Sequence, residues 1–257
     1  MTMDQMQWVP RHLRKQMMAK GLSIPTDPDD IKRIKQQSEA RLKQTIQQET
    51  QAQRQRLYDR DSLTGGINRS FTFDEWQPTV QPNPQAVEIA DKLKRQGIWI
   101  AKQLETSNFN IIMAGGAGVG KTSMALAILD AIKSFKTTMF VSSTELAEVM
   151  RNQFANEINK QRAEHIERSM REVDVLVIDD FGTEAKMSSR DSEATEFIQR
   201  VFFTVSESRQ GKTTIITTNN SRQELQVIYN DKIISRLISK DKLHQMDFTS
   251  LNDARSN

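Results

Sequence analysis

Apolar and polar positions divide the chain into two parts with different patterns. The apolar positions that recur with helical spacing in the first part are Ile31, Ile34, Leu42, Ile46 and Leu57. They form a thin, broken stripe in a stretch rich in Gln, Lys, Arg and Glu, which predicts a helix over about residues 31–57, capped by Asp29 or Asp30. A helix with so few apolar positions cannot be stabilised by burial alone. We therefore expect it to rest on a partner or to be only partly ordered.

Beyond a predicted linker at residues 63–68, short apolar runs alternate with helical patterns. The predicted strands are 110–114, 137–142, 173–178, 213–218 and one near 243–248. The predicted helices are 84–104, with Asn83 as its cap, then 123–134, one that starts at Glu145, 190–209, 222–229 and 231–239. Strands that alternate with helices indicate an α/β fold with a central parallel sheet flanked by crossover helices. We therefore predict a helical N-terminal region, 1–64, and an α/β domain, 65–257.

The composition excludes several classes of chemistry. The chain contains no cysteine, which rules out disulfides, thiol nucleophiles, zinc ribbons and iron–sulfur clusters, and its 3 histidines are scattered. No apolar run approaches the roughly 18 residues that span a bilayer, and the first ten residues lack the pattern of a signal peptide. We expect a soluble, cytoplasmic protein with no membrane partner.

The positive charge is concentrated at the N-terminus. Residues 1–64 hold 12 Lys/Arg and 8 Asp/Glu, whereas the rest of the chain is close to neutral. This excess favours an acidic partner such as nucleic acid, or is simply the solvated face of a helix. The same region carries Met1, Met3, Met6, Met17 and Met18, which form either a docking patch or a small local core.

A phosphate-binding loop follows the first predicted strand of the α/β domain. The pattern G-x-x-x-x-G-K-[ST] is matched by Gly115, Gly116, Ala117, Gly118, Val119, Gly120, Lys121 and Thr122, and we add the adjacent Ser123 to the nucleotide-binding residues. Glycines let backbone N–H groups surround phosphate oxygens at the start of a helix. We expect Lys121 to be exposed in the pocket and to reach the β- and γ-phosphates, and the Thr122 hydroxyl to ligate Mg²⁺.

Two further strands end in polar residues that suit the same chemistry. Asp179 and Asp180 end a buried strand, where Asp179 would hold the metal and Asp180 would polarise the attacking water. Alternatively the two aspartates merely end a strand before a turn, but the phosphate loop favours the functional interpretation. Asn219 and Asn220 end another strand on the ligand-binding edge, where an Asn can contact the γ-phosphate or is an ordinary turn residue.

Taken in order, the phosphate loop, Asp179–Gly182, Thr217–Asn219 and Ile233–Leu237 resemble the AAA+ ATPases of the DnaC/DnaI helicase-loader family, which have IstB-like relatives. Residues 72–76 also resemble the family's entry segment, so the resemblance covers about residues 70–255. It implies a P-loop AAA+ ATPase domain that uses ATP and Mg²⁺, with Asn219 as the sensor-1 residue. It further implies that Arg236 is an arginine finger for a neighbouring subunit and that Arg255 is a second sensor.

The chain departs from the family pattern in two places. AAA+ proteins usually have Glu where Asp180 stands, so hydrolysis is expected to be slow. The N-terminal zinc module of DnaI-type loaders is impossible without cysteine, so the N-terminal region is more similar to the zinc-free DnaC arrangement or to that of a phage-encoded loader.

The resemblance implies an ATP-dependent helicase loader. Such a protein binds a hexameric, DnaB-type replicative helicase, here through residues 1–64, helps to deposit it on single-stranded DNA and self-associates through the ATP site. The alternative is an IstB-like transposition helper ATPase that acts on duplex DNA with a transposase. A small-molecule kinase would need an arginine-rich lid, and the stretch between the strands offers no clear one. A structural DNA-binding module whose loop has lost hydrolysis is the remaining possibility.

Overall fold

The computed structural model describes residues 27–66, 70–184 and 192–256. The helices are α1 (Pro28–Asp61), α2 (Pro84–Gln103), α3 (Lys121–Ile132), α4 (Ser143–Asn152), α5 (Glu157–Glu172), α6 (Ser192–Ser208), α7 (Arg222–Ile228) and α8 (Asp231–Leu237). The strands are β1 (Ile111–Ala114), β2 (Thr138–Ser142), β3 (Val175–Asp179), β4 (Thr213–Thr218) and β5 (Gln245–Asp247). These five strands form one parallel sheet in the order β2-β3-β4-β1-β5, which confirms the predicted α/β fold.

Alternation of side chains along the buried strands produces two apolar layers. Val175 and Val177 of β3 belong to a cluster with α2 and α3, whereas Leu176 and Ile178 belong to a cluster with α4, α5, α6 and α8. Successive residues of a strand point to opposite faces of the sheet, so an unbroken apolar run is buried on both sides. The sheet is therefore covered by helices on both faces.

Polar caps mark the starts of several helices. Asn83 accepts a hydrogen bond from Ala86 N ahead of Pro84, as the sequence predicts. Where the sequence predicts one helix that starts at Glu145, the structure has two helices, α4 and α5. Ser142 caps α4, and Asn156 caps α5 by accepting a hydrogen bond from Asn159 N at 2.8 Å.

Contacts divide the chain into two units, Met1–Ala52 and Gln53–Asn257. In the first unit, the described part of α1 exposes Ile34, Leu42 and Ile46. In the second unit, Tyr58 is buried and Leu63 forms a parallel bridge with Val141 at the edge of the sheet. Leu63, the first residue of the predicted linker, is thus part of the sheet's edge. The predicted methionine cluster lies outside the described residues, as do residues 67–69 of the linker region.

Candidate nucleotide-binding site

The loop between β1 and α3 has a backbone that only glycine adopts easily. Gly118 and Gly120 have φ values of 73° and 94°. A Cβ atom on Gly118 would lie 1.9 Å from Asp253 Oδ1, and one on Gly120 would lie 2.8 Å from the ring of Trp76. The C-terminal segment also contacts the loop through a hydrogen bond from Ala254 N to Gly118 O at 3.1 Å. Asp253 and Trp76 therefore pack closely against the loop because Gly118 and Gly120 have no side chains.

Lys121 is buried, contrary to the expectation that it is exposed in the pocket, with 5% of its surface accessible. Its Nζ donates to Gly115 O at 2.9 Å, to Gly116 O at 2.5 Å and to Asn219 Oδ1 at 2.6 Å. Burial lowers the pKa of Lys121, while the carboxylates of Asp180 and Asp179 oppose that shift. The three oxygen acceptors and the two nearby carboxylates favour the charged ammonium of Lys121 at the base of the loop.

Asp179 receives two hydroxyl hydrogen bonds on one oxygen. Thr122 Oγ1 donates to Asp179 Oδ1 at 2.9 Å, and Thr217 Oγ1 donates to the same atom at 2.6 Å. Burial raises the pKa of Asp179, and the hydrogen bond from Thr217 is the largest effect that lowers it. A carboxylate beside a hydroxyl is a pair of hard oxygen donors, which fits Mg²⁺ held by one or two protein ligands together with phosphate oxygens.

Asp180 is the one non-glycine residue with positive φ in the described parts of the chain, at 55°. Such a left-handed conformation is uncommon outside glycine, and Asp and Asn adopt it more readily than most residues. Three hydrogen bonds hold its backbone: Asp180 N donates to Thr217 Oγ1 at 3.0 Å, and Asp180 O accepts from Ser143 Oγ at 2.8 Å and from Thr183 N at 3.0 Å. The turn brings Asp180 to the wall of the cleft above the loop.

The two asparagines after β4 have different surroundings. Asn219 contacts Lys121, as given above, and lines the cleft. Asn220 is buried, and its Nδ2 donates to Phe181 O at 3.4 Å. Asn219 is therefore at the candidate site, whereas Asn220 supports the turn that follows β3.

These groups surround a cleft of about 680 Å³. Its walls include Ala117, Gly118, Gly120, Lys121, Thr122, Ser123, Asp179, Asp180, Asn219 and Arg255. A smaller cavity of about 210 Å³ beside it shares Phe71, Gly120, Ser123 and Ala254 and is lined by the apolar side chains of Trp76, Val80 and Val119. Gly115 and Gly116 contribute the carbonyls that contact Lys121.

The two arginines implied by the resemblance lie in different places. Arg255 is on the cleft wall with its side chain 75% exposed, and its Nε is 3.8 Å from Asp253 Oδ1. Arg236, at the end of α8, is outside the cleft lining. Its Nη2 is 2.8 Å from Glu207 Oε1, and its carbonyl accepts a hydrogen bond from Asn110 Nδ2 at 2.6 Å, next to the start of β1.

Sheet order explains why separate motifs meet at one cleft. β1 lies between β4 and β5, and β4 lies between β1 and β3, so the carboxyl ends of β1, β3 and β4 are adjacent. Thr217 was not assigned a role from the sequence, although it contacts both aspartates. Its signals in the sequence are the resemblance of Thr217–Asn219 and its place in a β-branched strand.

No group of three or more His, Cys, Asp or Glu side chains forms a metal cluster in the parts of the chain that the structure describes. Within the same parts, no helix is long and apolar enough to cross a membrane.

The sheet, the glycine loop and the buried lysine define a P-loop nucleotide-binding α/β protein. A family model described as IstB-like ATP binding protein matches residues 13–255, so the chain belongs to this family. The initiator protein DnaA of Onion yellows phytoplasma (strain OY-M) is 25% identical over 180 residues, which is 68% of this chain and 31% of that protein.

Two solved structures share the fold. A DNA replication initiation factor matches with a TM-score of 0.53 and 19% identity, over 74% of this chain and 53% of that one. A DnaA bound to AMPPCP and single-stranded DNA matches with a TM-score of 0.51 and 19% identity, over 71% and 50%. The chain thus spans about a third to a half of the length of these relatives. The predicted AAA+ fold is confirmed, and the chain is an IstB-like ATP-binding protein whose fold is similar to that of these two structures.

Proposed function

We propose that this protein is a slow ATPase that loads a DnaB-type hexameric helicase onto single-stranded DNA. The observation that carries the ATPase part is the meeting of Lys121, Asp179, Asp180 and Asn219 at one cleft beside the glycine loop. Loading itself is supported by the ordered motifs that resemble DnaC and DnaI. The fold shared with initiators, one of them bound to single-stranded DNA, agrees with this proposal.

Each group at the cleft has a role in the proposed reaction. Loop N–H groups and Lys121 bind the phosphates, and the adjacent apolar cavity with Trp76 accepts the base. Thr122 and Asp179 hold Mg²⁺, which would neutralise phosphate charge. Asp180 orients and polarises the attacking water, while Asn219 contacts the γ-phosphate and Arg255 approaches the nucleotide from the rim.

Arg236 acts on a neighbouring subunit in this proposal. Its carbonyl lies at the amino end of β1, whereas Lys121 follows the carboxyl end. Four residues of strand separate the two ends by roughly 13 Å, the guanidinium is ion-paired with Glu207, and Arg236 does not line the cleft of its own chain. A second copy would bring Arg236 to the cleft, which makes self-association part of the mechanism.

The N-terminal region, 1–64, is proposed to bind the helicase. In its first unit, α1 exposes the side chains of Ile34, Leu42 and Ile46, and exposed apolar positions on a polar helix are typical of a docking surface. The remainder, 65–257, is proposed as the AAA+ domain.

The experiment is co-purification of the helicase with the full chain and with a fragment of residues 53–257. This fragment is preferable to 65–257, because Tyr58 and Leu63 are buried in the second unit. We expect the full chain to retain the helicase, and the fragment to bind ATP without retaining it. Helicase capture by the fragment would place the docking surface within residues 53–257, and no capture by either would contradict loading.

A transposition helper is the second candidate, because the matching family is IstB-like. Such a protein would bind duplex DNA together with a transposase and would not retain a replicative helicase. Duplex-dependent stimulation of ATP turnover without helicase capture would favour it.

A further inference from the structure

Thr217 contacts three consecutive residues that follow or end β3. Its hydroxyl donates to Asp179 Oδ1 at 2.6 Å and accepts from Asp180 N at 3.0 Å, and its carbonyl accepts from Phe181 N at 2.9 Å. The residue is completely buried in β4. One side chain thus joins the metal-side carboxylate to the backbone of the water-side carboxylate.

The direction of these hydrogen bonds follows from the donors available. A backbone N–H can only donate, so the Thr217 oxygen accepts from Asp180 and its single proton is directed to Asp179. A hydroxyl that donates to a carboxylate forms a short, charge-assisted bond, which agrees with 2.6 Å. The hydroxyl therefore uses its donor and one acceptor position to orient both aspartates.

We propose that Thr217 is a positioning residue for the Mg²⁺–ATP site, which rests on the proposed function. It holds the Asp179 carboxylate toward Thr122 and fixes the left-handed turn that carries Asp180. Removing a group that hydrogen-bonds to a metal-ligating carboxylate usually lowers metal affinity or activity by about 10–100-fold. Thr217 acts only through the aspartates in this proposal.

The test compares Thr217→Val with Thr213→Val in the full chain. Both threonines are fully buried in β4, and the Thr213 hydroxyl has no hydrogen-bond partner among the residues that the structure describes. ATP binding is titrated calorimetrically over a series of free Mg²⁺ concentrations and in EDTA, and turnover is measured separately.

We expect Thr217→Val to need about 10–100-fold more free Mg²⁺ for half-maximal enhancement of ATP binding and to turn over about 10–100-fold more slowly. ATP binding in EDTA should be unchanged, Thr217→Ser should restore most of the Mg²⁺ response, and Thr213→Val should match the wild type. A Mg²⁺ titration of Thr217→Val that equals the wild type would overturn the proposal.

If Thr217→Val does not fold, Thr217→Ser and Thr217→Ala form the comparison, because both lack the methyl group and differ only in the hydroxyl. Equal Mg²⁺ responses in that pair would contradict the proposal, as would unfolding of Thr217→Ala while Thr213→Val folds. Failure of the proposed function is distinguishable, because wild-type protein would then show no Mg²⁺-dependent ATP binding at all.

Discussion

Lys121 Nζ donates a hydrogen bond to Asn219 Oδ1 at 2.6 Å, which joins the start of α3 to the end of β4. The lysine also contacts two carbonyls of its own loop, so three oxygen atoms surround its charge. A bound phosphate would contact the same ammonium, and Asn219 would lie next to it. This contact makes β4 part of the nucleotide site rather than only a strand of the sheet.

Lys121→Ala should weaken ATP binding by at least about 100-fold, because charge-assisted hydrogen bonds to phosphate contribute about 1.5–3 kcal/mol each. The fold should be retained, since burial already disfavours the charged lysine. Calorimetric ATP titration and thermal unfolding measure the two effects. Lys133→Ala, an exposed lysine after the same helix, is the control. Unaltered ATP affinity in Lys121→Ala would contradict the assignment of the loop.

Asp180→Asn should keep ATP affinity within about threefold and reduce turnover by about 10²–10⁴-fold, as expected when a group that polarises water is removed. Asn is the matched replacement because it tolerates a φ of 55° as Asp does. Steady-state turnover and ATP titration give the comparison, with Asp91→Asn as control, because the Asp91 side chain is 46% exposed. Turnover equal to that of the wild type would assign Asp180 to the turn alone.

The sequence predicts which strands carry the site residues, but it does not predict the orientation of individual side chains. Buried apolar runs and glycine spacing predicted the sheet, the loop and the place of Asp179. The backbone of Asp180 is hydrogen-bonded to Ser143 and Thr217, which are distant in sequence, as well as to the nearby Thr183, so the local sequence alone does not indicate its positive φ. Likewise, Lys121 Nζ contacts two carbonyls of its own loop and Asn219, which follows β4, and the contact with Asn219 is a relation that only the tertiary structure provides.

Stability should depend on pH through Glu184, which is buried beside the Asp180 turn and accepts a hydrogen bond from Gly182 N at 3.0 Å. Burial raises its pKa above the ordinary value of 4.5. The folded state therefore prefers the protonated carboxyl group of Glu184. The stability that the protonated group gives is fully present below pH 4.5 and is lost as the pH rises through the raised pKa.

Glu184→Gln should consequently be more stable than the wild type near pH 8, and the difference should shrink as the pH approaches 4.5. Denaturant unfolding at several pH values measures it, with the exposed Glu148→Gln as control. A stability difference that is constant across this range would show that the carboxyl group does not titrate differently in the folded protein.

Arg236 provides a test of assembly, because it is ion-paired with Glu207 and lies over the ring of Phe203 at 5.0 Å, away from its own cleft. If it serves a neighbouring site, turnover per subunit should rise with protein concentration and with single-stranded DNA. Arg236→Ala should flatten that rise by a large factor, since arginine fingers contribute about 10³–10⁵ in rate. ATP affinity of the dilute monomer should stay nearly unchanged.

Mixing Arg236→Ala with Lys121→Ala should recover part of the activity that each variant lacks, because each is defective in a different half of a shared site. Glu207→Gln is the control, since it breaks the ion pair and keeps the guanidinium. If Glu207→Gln loses as much turnover as Arg236→Ala, the ion pair itself is what matters. If the mixture recovers nothing and Arg236→Ala weakens ATP binding in the dilute monomer, Arg236 acts within its own subunit, and self-association through the ATP site loses its support.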